Sequence, residues 1–151
     1  MISPELVRRY PFFAGLTIEQ INTLAMAAED MTAEAGEFLF HEGEQVGRFF
    51  VVVEGAVGIV FEVPARRQEA VISKLGPGDV FAWSGLVFPH KATASAKALT
   101  LCRVLSFDFE KICRHFEQDW RFGYLMMEKA TRVMRDRLHD LRLESLAYLA
   151  E

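Results

Sequence analysis

Short, mostly apolar runs that are bounded by polar residues and interrupted by glycines fill the middle of the chain. Runs such as Arg48–Glu54, Ala56–Val63 and Ala70–Leu75 are rich in β-branched and aromatic residues and end at glycine turns. Short, regularly spaced strands of this kind are typical of an antiparallel sandwich or barrel, and no helical pattern separates them as a parallel sheet would require. The pattern over residues 29–107 therefore predicts an antiparallel sandwich or barrel, called the roll below, with a polar hairpin tip at 64–69.

Helical patterns precede this region. Ser3 followed by Pro4 is typical of a helix start, and Thr17 with Gln20 has the spacing of a capping box. The second helix should present one apolar face, formed by Ile18, Ile21, Leu24 and Ala25.

Two helices are expected after the strands, a short one from about Asp108 to Phe116 and a long one from about Gln118 to Leu149. The long helix would extend for about 45 Å, which is more than the roll needs as cover. One stripe along it advances in alternate steps of four and three residues, the period of a coiled coil. The stripe comprises Met127, Thr131, Met134, Leu138, Leu141, Ser145 and Tyr148.

Two interpretations of the long helix remain open. The stripe predicts a seam between two copies, and the alternative is an amphipathic helix folded onto its own domain. A second apolar set, Leu125, Leu143, Leu146 and Leu149, would then cover the roll or cap the helix. The predicted division is a roll with N-terminal helices over 1–116 and the long helix over 117–151, both within one domain.

Composition narrows the classes of function. The chain has 151 residues, a net charge of −4 and a pI of about 5.6, so it lacks the basic footprint of a nucleic-acid-binding domain. No apolar run approaches the length of a membrane span, and the N-terminus has no secretory h-region. Cys102 and Cys113 form no CxxC pair, and helical spacing predicts that Cys113 is a buried thiol. These features predict a cytoplasmic, reduced protein.

Five fragments, in order along the chain, carry a family resemblance. They are PFFAGLT at 11–17, FHEGE at 40–44, FVVVEGAV at 50–57, LGPGDVF at 75–81 and PHKATA at 89–94. Over nearly its whole length the chain resembles the sensor half of the catabolite-activator and fumarate-nitrate-regulator (Crp/Fnr) family. The resemblance implies a mainly β fold, a double-stranded β-helix or jelly roll, with flanking helices and a long C-terminal dimerisation helix.

Family members bind a cyclic nucleotide in a cassette that supplies a Gly-Glu pair for the ribose and an Arg-Ser or Arg-Thr pair for the phosphate. Here the corresponding positions hold Ala82 and Trp83, and then His90 and Lys91. Losing two hydrogen bonds to charged groups weakens binding by about a hundredfold to ten-thousandfold. A degenerate cassette is therefore expected, in which Lys91 or protonated His90 still attracts an anion.

The resemblance places the base-contacting positions near Arg135 and Asp136 on the long helix. The candidate ligand-binding set is Phe81, Ala82, Trp83, Ser84, His90, Lys91, Ala92 and Arg135. Two interpretations of the stretch 82–88 stay open: Trp83 and Phe88 fill the pocket as core, or Trp83 stacks on an apolar or aromatic ligand.

Other chemistry finds little support. The histidines are scattered without a His-x-His pair, at His41, His90, His115 and His139, so no metal site is expected. No nucleophile elbow, phosphate loop or metalloprotease motif is present, which argues against an enzyme. A haem sensor that uses His90 or Cys102 is a third hypothesis.

The two main hypotheses are a ligand-responsive regulatory domain and a ligand-free interaction or dimerisation scaffold. The expected partners are a second copy of the chain, a small-molecule ligand and an unidentified protein, with no nucleic acid or membrane bound by this chain alone. No cofactor is expected to be required. The degenerate cassette argues against tight binding of a cyclic nucleotide. Because the sequence stops at Glu151, the chain is expected to be a stand-alone sensor or adaptor, or the sensor half of a longer regulator.

Overall fold

A computed structural model describes the chain from Ile2 to Ala150, apart from the side chain of Pro64. The helices are α1 (Pro4–Arg8), α2 (Ile18–Met26), α3 (Phe109–Cys113) and α4 (Trp120–Ala150). The strands are β1 (Ala28–Ala33), β2 (Phe38–Phe40), β3 (Arg48–Glu54), β4 (Val57–Val63), β5 (Gln68–Leu75), β6 (Val80–Phe81), β7 (Ser95–Ala98) and β8 (Cys102–Asp108). Short 3-10 helices lie at Pro11–Phe13, Pro64–Arg66 and Trp83–Leu86. Residue 1, where the predicted range 1–116 begins, and residue 151, where the range 117–151 ends, lie outside the described residues.

The strands form two antiparallel four-stranded sheets in the orders β1-β8-β3-β6 and β2-β7-β4-β5. This is the predicted jelly roll with flanking helices. The β4–β5 hairpin is longer than expected, because Glu62 pairs with Glu69 and Val63 with Gln68 in the ladder. The tip is therefore confined to the 3-10 turn at Pro64–Arg66 and to Arg67, which has a φ of 49°.

Aromatic rings fill the space between the two sheets. Phe50 stacks on Phe81 at 5.0 Å between ring centroids and on Phe40 at 5.8 Å. Small residues on β7, Ala96 and Ala98, are fully buried opposite this stack. Because packed interiors leave few voids, the inside of the roll is a solid core along this stretch.

A second core joins the outer face of the first sheet to the helices. Phe49 lies between Trp83 and Phe107, with ring centroids 4.6 Å and 4.7 Å away. The predicted capping box is present, and the Gln20 side chain also donates to Asp119 Oδ2 at 3.0 Å. Ile18, however, is 68 % exposed, because the first turn of α2 extends past this core. The buried face of α2 is formed by Gln20, Ile21, Leu24 and Ala25.

The long helix α4 turns one stripe toward its own domain and another away from it. The inward stripe consists of Phe122, Met126, Ala130, Val133 and Arg137. Beyond Arg137 every described residue of the helix is exposed. Leu143, Leu146 and Leu149 are therefore not cover for the roll, because the helix has already left the sheet at that point.

The prediction that Cys113 is a buried thiol is wrong, and the buried cysteine is Cys102. Cys102 on β8 is buried, and burial raises the pKa of its thiol. Cys113 is half-buried at the end of α3, where its Sγ lies 3.4 Å from the Glu110 carbonyl oxygen. The apolar spacing around Cys113 is real, but Ile112 takes the buried position of that turn.

From Ile2 to Ala150, no helix combines the length and the apolar character needed to cross a bilayer.

Candidate ligand-binding site

The cassette, residues 75–94, starts at a tight turn that fixes β6 against β3. Gly76 N–H donates to Asp79 Oδ2 at 2.8 Å, and Gly78 N–H donates to the Val52 carbonyl at 2.8 Å. In addition, the Asp79 carbonyl accepts a hydrogen bond from Val52 N–H at 3.0 Å. Val80 and Phe81 are therefore held at the edge of the first sheet.

A backbone reversal at Ala82 sends the next side chains in opposite directions. Ala82 has a φ of 74°, a left-handed conformation that glycine adopts without strain and that costs alanine about 1 kcal/mol. Phe81 points into the roll, whereas Trp83 packs outward against Phe12 and Phe49. The Trp83 ring is thus core between sheet and helices, and its Nε1 has no hydrogen-bond acceptor among the described residues. Phe88 fills nothing, because it is 89 % exposed.

The C-terminal end of the cassette is hydrogen-bonded to the loop between β2 and β3. Val46 N–H donates to the His90 carbonyl at 3.0 Å, and Ala92 N–H donates to the Glu44 carbonyl at 3.0 Å. The His90 ring also donates through Nδ1–H to the Gly85 carbonyl at 3.0 Å. His90 is therefore committed to the backbone of the cassette, while Lys91 extends to solvent.

A groove of about 480 Å³ separates the cassette from α4. One wall includes Leu75, Gly78 and Val80, and the other includes Val133 and Arg137. Ser84 and Ala92 belong to the cassette but do not line this groove. A ligand here would contact both the cassette turn and the long helix.

Arg137 is the residue that bridges the two walls. Its Nη2 donates to the Val80 carbonyl, and burial lowers the pKa of its guanidinium, an effect that the nearby Asp79 partly offsets. Arg135, the position expected from the sequence, instead pairs with its neighbour Asp136 at 3.1 Å and is exposed. The inward stripe of α4 carries the signal for Arg137, since it continues the spacing of Ala130 and Val133.

The groove has a mixed electrostatic character. Lys74 and Arg137 line it together with Asp79, Asp136, Asp140 and Glu144. Carboxylates outnumber cations, so the groove suits a polar ligand that both donates and accepts hydrogen bonds better than a compact anion. A phosphodiester needs a fork-shaped cation and backbone donors, and the cassette presents neither an arginine nor a glutamate at its own positions.

The predicted seam runs along the outer side of α4, and one of its residues, Leu141, also lines the groove. Met134 and Leu138 are about half exposed, and Tyr148 is 83 % exposed. The same spacing extends back to Tyr124 and Trp120, which are also exposed. Met127, Thr131, Leu141 and Ser145 complete this outward stripe.

A separate polar cluster joins β4 and β7 to the residue that follows β2. The Glu62 carboxylate accepts from His41 Nδ1 at 3.0 Å and from Ser95 Oγ at 2.7 Å. These hydrogen bonds, that of His41 first, hold the pKa of Glu62 below its ordinary value. Ser95 also accepts from Glu42 N–H at 2.9 Å, so the cluster anchors the start of the β2–β3 loop.

Acid should remove the stabilisation that Glu62 supplies. A carboxyl group whose pKa is lowered by folding stabilises above its ordinary pKa, and this contribution is lost as pH falls through the folded-state value. Urea unfolding of the wild type and Glu62→Gln should show a wild-type advantage near about pH 7 that shrinks near about pH 3. The control Glu34→Gln, at an exposed carboxylate, should show a small and constant difference. An equal advantage at both pH values would contradict the assignment.

Among residues 2–150, no three His, Cys, Asp or Glu side chains converge to hold a metal ion. The buried Cys102 has a raised thiol pKa, which disfavours the thiolate that a haem iron would require.

Comparison with known proteins agrees with the fold. Residues 31–119 match the family profile of the cyclic nucleotide-binding domain. The cGMP-dependent protein kinase egl-4 of Caenorhabditis elegans is 33 % identical over 96 residues, which cover 64 % of this chain and 12 % of the kinase. The CRP-like cAMP-activated global transcriptional regulator of Mycobacterium tuberculosis is 29 % identical over 104 residues, covering 69 % of this chain and 46 % of the regulator. The chain thus spans less than half of either relative.

Solved structures give the same result over most of the chain. A protein from Geobacter metallireducens GS-15, classed with cyclic nucleotide-binding proteins, superposes with a TM-score of 0.80 at 29 % identity, covering 92 % of this chain and 100 % of that one. The catabolite activator protein of Thermus thermophilus has a TM-score of 0.71 at 23 % identity and covers 93 % of this chain and 63 % of its own. The second likeness supports the shared fold.

Proposed function

Because the chain belongs to the cyclic nucleotide-binding domain family, we propose that it is a ligand-responsive regulatory module that signals through a helix-mediated homodimer and catalyses no reaction. Its location would be the cytoplasm. Residues 1–116 and 117–151 would act as one domain, with α4 as its moving part. Neither nucleic acid nor membrane would be bound by this segment.

The groove between cassette and helix is the observation that carries the proposal. Arg137 reaches across it from α4 to the Val80 carbonyl, so the helix and the cassette already share a contact. A ligand that entered would compete with that contact or engage the arginine, and either outcome would change how α4 sits on the roll. A ligand can shift such an equilibrium only through different affinities for the two arrangements.

The ligand is proposed to be a small molecule bound differently from cyclic AMP in the usual family mode. Ala82, Trp83, His90 and Lys91 provide no carboxylate for a ribose and no arginine for a phosphate. Trp83 is also turned away from the roll interior, and therefore cannot stack on a ligand bound there. Arg137 is the group best placed to recognise the ligand.

Calorimetric titration with cyclic AMP and cyclic GMP tests this site. Affinity should be about a hundredfold to ten-thousandfold below that of an intact cassette, and Arg137→Met should remove the residual heat. Arg135→Met is the matched control, because Arg135 is exposed and lies outside the groove. Tight binding that survives Arg137→Met would show the usual family mode. The absence of heat and of thermal stabilisation at millimolar nucleotide would remove cyclic nucleotides as the ligand and would leave either a different small molecule or the alternative, a ligand-free scaffold.

The homodimer is tested by the outward stripe of α4. In sedimentation equilibrium the wild type should be a dimer, and Leu138→Lys should weaken the dimer by about a hundredfold, since two buried leucines are lost in a two-fold seam. Leu146→Lys introduces the same charge at an exposed leucine off the stripe and should leave the dimer intact. If both variants behave like the wild type, α4 is not the dimer interface.

A further inference from the structure

A second cleft, of about 800 Å³, opens at the edge of the roll and is lined by β1, the β2–β3 loop, β3 and α3. From Ile2 to Ala150, no residue of α4 contributes to its lining, so it is distinct from the groove described above. Its volume is that of an ordinary small-molecule pocket. Neither the family profile nor the cassette assigns it a role.

The floor of this cleft is apolar and aromatic. Phe40 and Phe50 belong to it, with ring centroids 5.8 Å apart, and Met31 and Leu39 flank them. Met31 lies on the edge strand β1 and is 37 % exposed. Phe40 and Phe50 are 6 % and 4 % exposed, so only a small part of each ring reaches the cleft, and Met31 adds exposed apolar surface beside them on which an apolar body can be buried.

The rim of the cleft is acidic. Glu29, Glu44, Asp108 and Glu110 line it, against Arg48 and His90. The Arg48 guanidinium is already engaged, because it donates to Ser106 Oγ at 3.0 Å and lies 3.5 Å from Glu29 Oε2. Among residues 2–150 no cationic side chain pairs with the Glu44 carboxylate, so its charge remains uncompensated at the rim.

We propose that this cleft binds a small organic cation with an aromatic body, of the arylalkylamine class, with its ammonium group on Glu44 and its ring on Phe40, Phe50 and Met31. Charge complementarity selects a cation, and the aromatic floor selects a ring. The size of the cleft excludes neither a second ring nor a short alkyl chain. Binding here does not depend on the nucleotide chemistry of the cassette.

The site is placed to act on the cassette. Gly85 and His90 line the same cleft, and the Glu44 carbonyl accepts from Ala92 N–H at 3.0 Å. An occupant would therefore contact the β2–β3 loop at the point where that loop is hydrogen-bonded to the cassette. A ligand in the cleft would therefore act on the cassette independently of a ligand in the groove beside α4.

Titration of the full chain with phenethylamine, followed by amide NMR shifts, tests the proposal. Shifts should cluster at 44–48 and 108–113, with a Kd of about 1 mM, as expected for a fragment of this size. Phenylacetate, which has the same ring and the opposite charge, should bind about fivefold more weakly or worse. Equal binding of the two probes, or no shifts up to about 20 mM phenethylamine, would overturn the proposal.

Variants locate the charge. Glu44→Gln should weaken phenethylamine about threefold to fivefold, whereas Glu19→Gln, at an exposed carboxylate on α2, should leave the Kd unchanged. Met31→Lys puts a cation in the cleft and should weaken phenethylamine more than phenylacetate, because it offsets part of the acidic charge of the rim. Because residues 19, 31 and 44 are all exposed, the variants should fold, and a melting curve checks this. Shifts that move instead to the groove residues 72–80 and 133–144 would also overturn the proposal.

Discussion

Replacing Phe49 by alanine should lower the free energy of unfolding by about 3–5 kcal/mol, the cost of deleting a phenyl ring from a closed core. Phe49 is fully buried and stacks between Trp83 and Phe107, with a tilted contact to Phe13. These neighbours come from the cassette, β8 and the N-terminal segment, so they cannot collapse together into the cavity. The loss therefore includes both the transfer free energy and the cavity.

Urea denaturation at equilibrium measures this effect, and Phe61→Ala is the matched control. Phe61 lies on β4 and is 45 % exposed, so the same substitution should cost about 1 kcal/mol or less. The cassette should also loosen in the Phe49 variant, since Trp83 loses its stacking partner. A cost at Phe49 no larger than that at Phe61 would contradict the described packing.

Gly85→Ala should destabilise the protein by about 3 kcal/mol, an unusually large effect for one added methyl group. A Cβ at Gly85 would lie 1.8 Å from the Val46 carbonyl oxygen, a backbone atom that cannot rotate away. Relief requires the β2–β3 loop to move, which would break the hydrogen bond from Val46 N–H to the His90 carbonyl. The added hydrogen-bond loss is about 1 kcal/mol.

Gly76→Ala provides the control for this glycine. Nothing lies within 4 Å of a Cβ at Gly76, and its φ is not in the left-handed region. The variant should be neutral or slightly more stable, because alanine restricts the unfolded chain. Thermal unfolding of both variants decides the matter, and equal melting temperatures would show that the cassette and the loop are not in close contact.

The fold followed from the sequence because local rules agreed with one another. Glycine turns separated the strands, and the strand at Arg48–Glu54 has the predicted bounds. The capping box at Thr17 and Gln20 was confirmed because two adjacent hydrogen bonds define it completely. The long helix was readable because its apolar residues recur over many turns.

The candidate site was less predictable, since it depends on directions that spacing does not determine. The reversal at Ala82 turns Trp83 away from the roll, and no periodicity reports a single left-handed residue. Arg137 occupies the inward stripe of α4 where an apolar residue is the usual choice, so a hydrophobic pattern passes over it. The acidic cleft at Glu44 joins β1, β3 and α3, which are distant along the chain.

Burial along the two stripes of α4 ends at different places, which would link folding to the proposed dimer. Arg137 is the last half-buried residue of the inward stripe, while the outward stripe continues to Tyr148. A helical segment as short as 138–150 is marginal in water without a packing partner. The helical content of this protein should therefore rise with its concentration, so that far-ultraviolet circular dichroism of a dilution series would report the encounter of two chains directly.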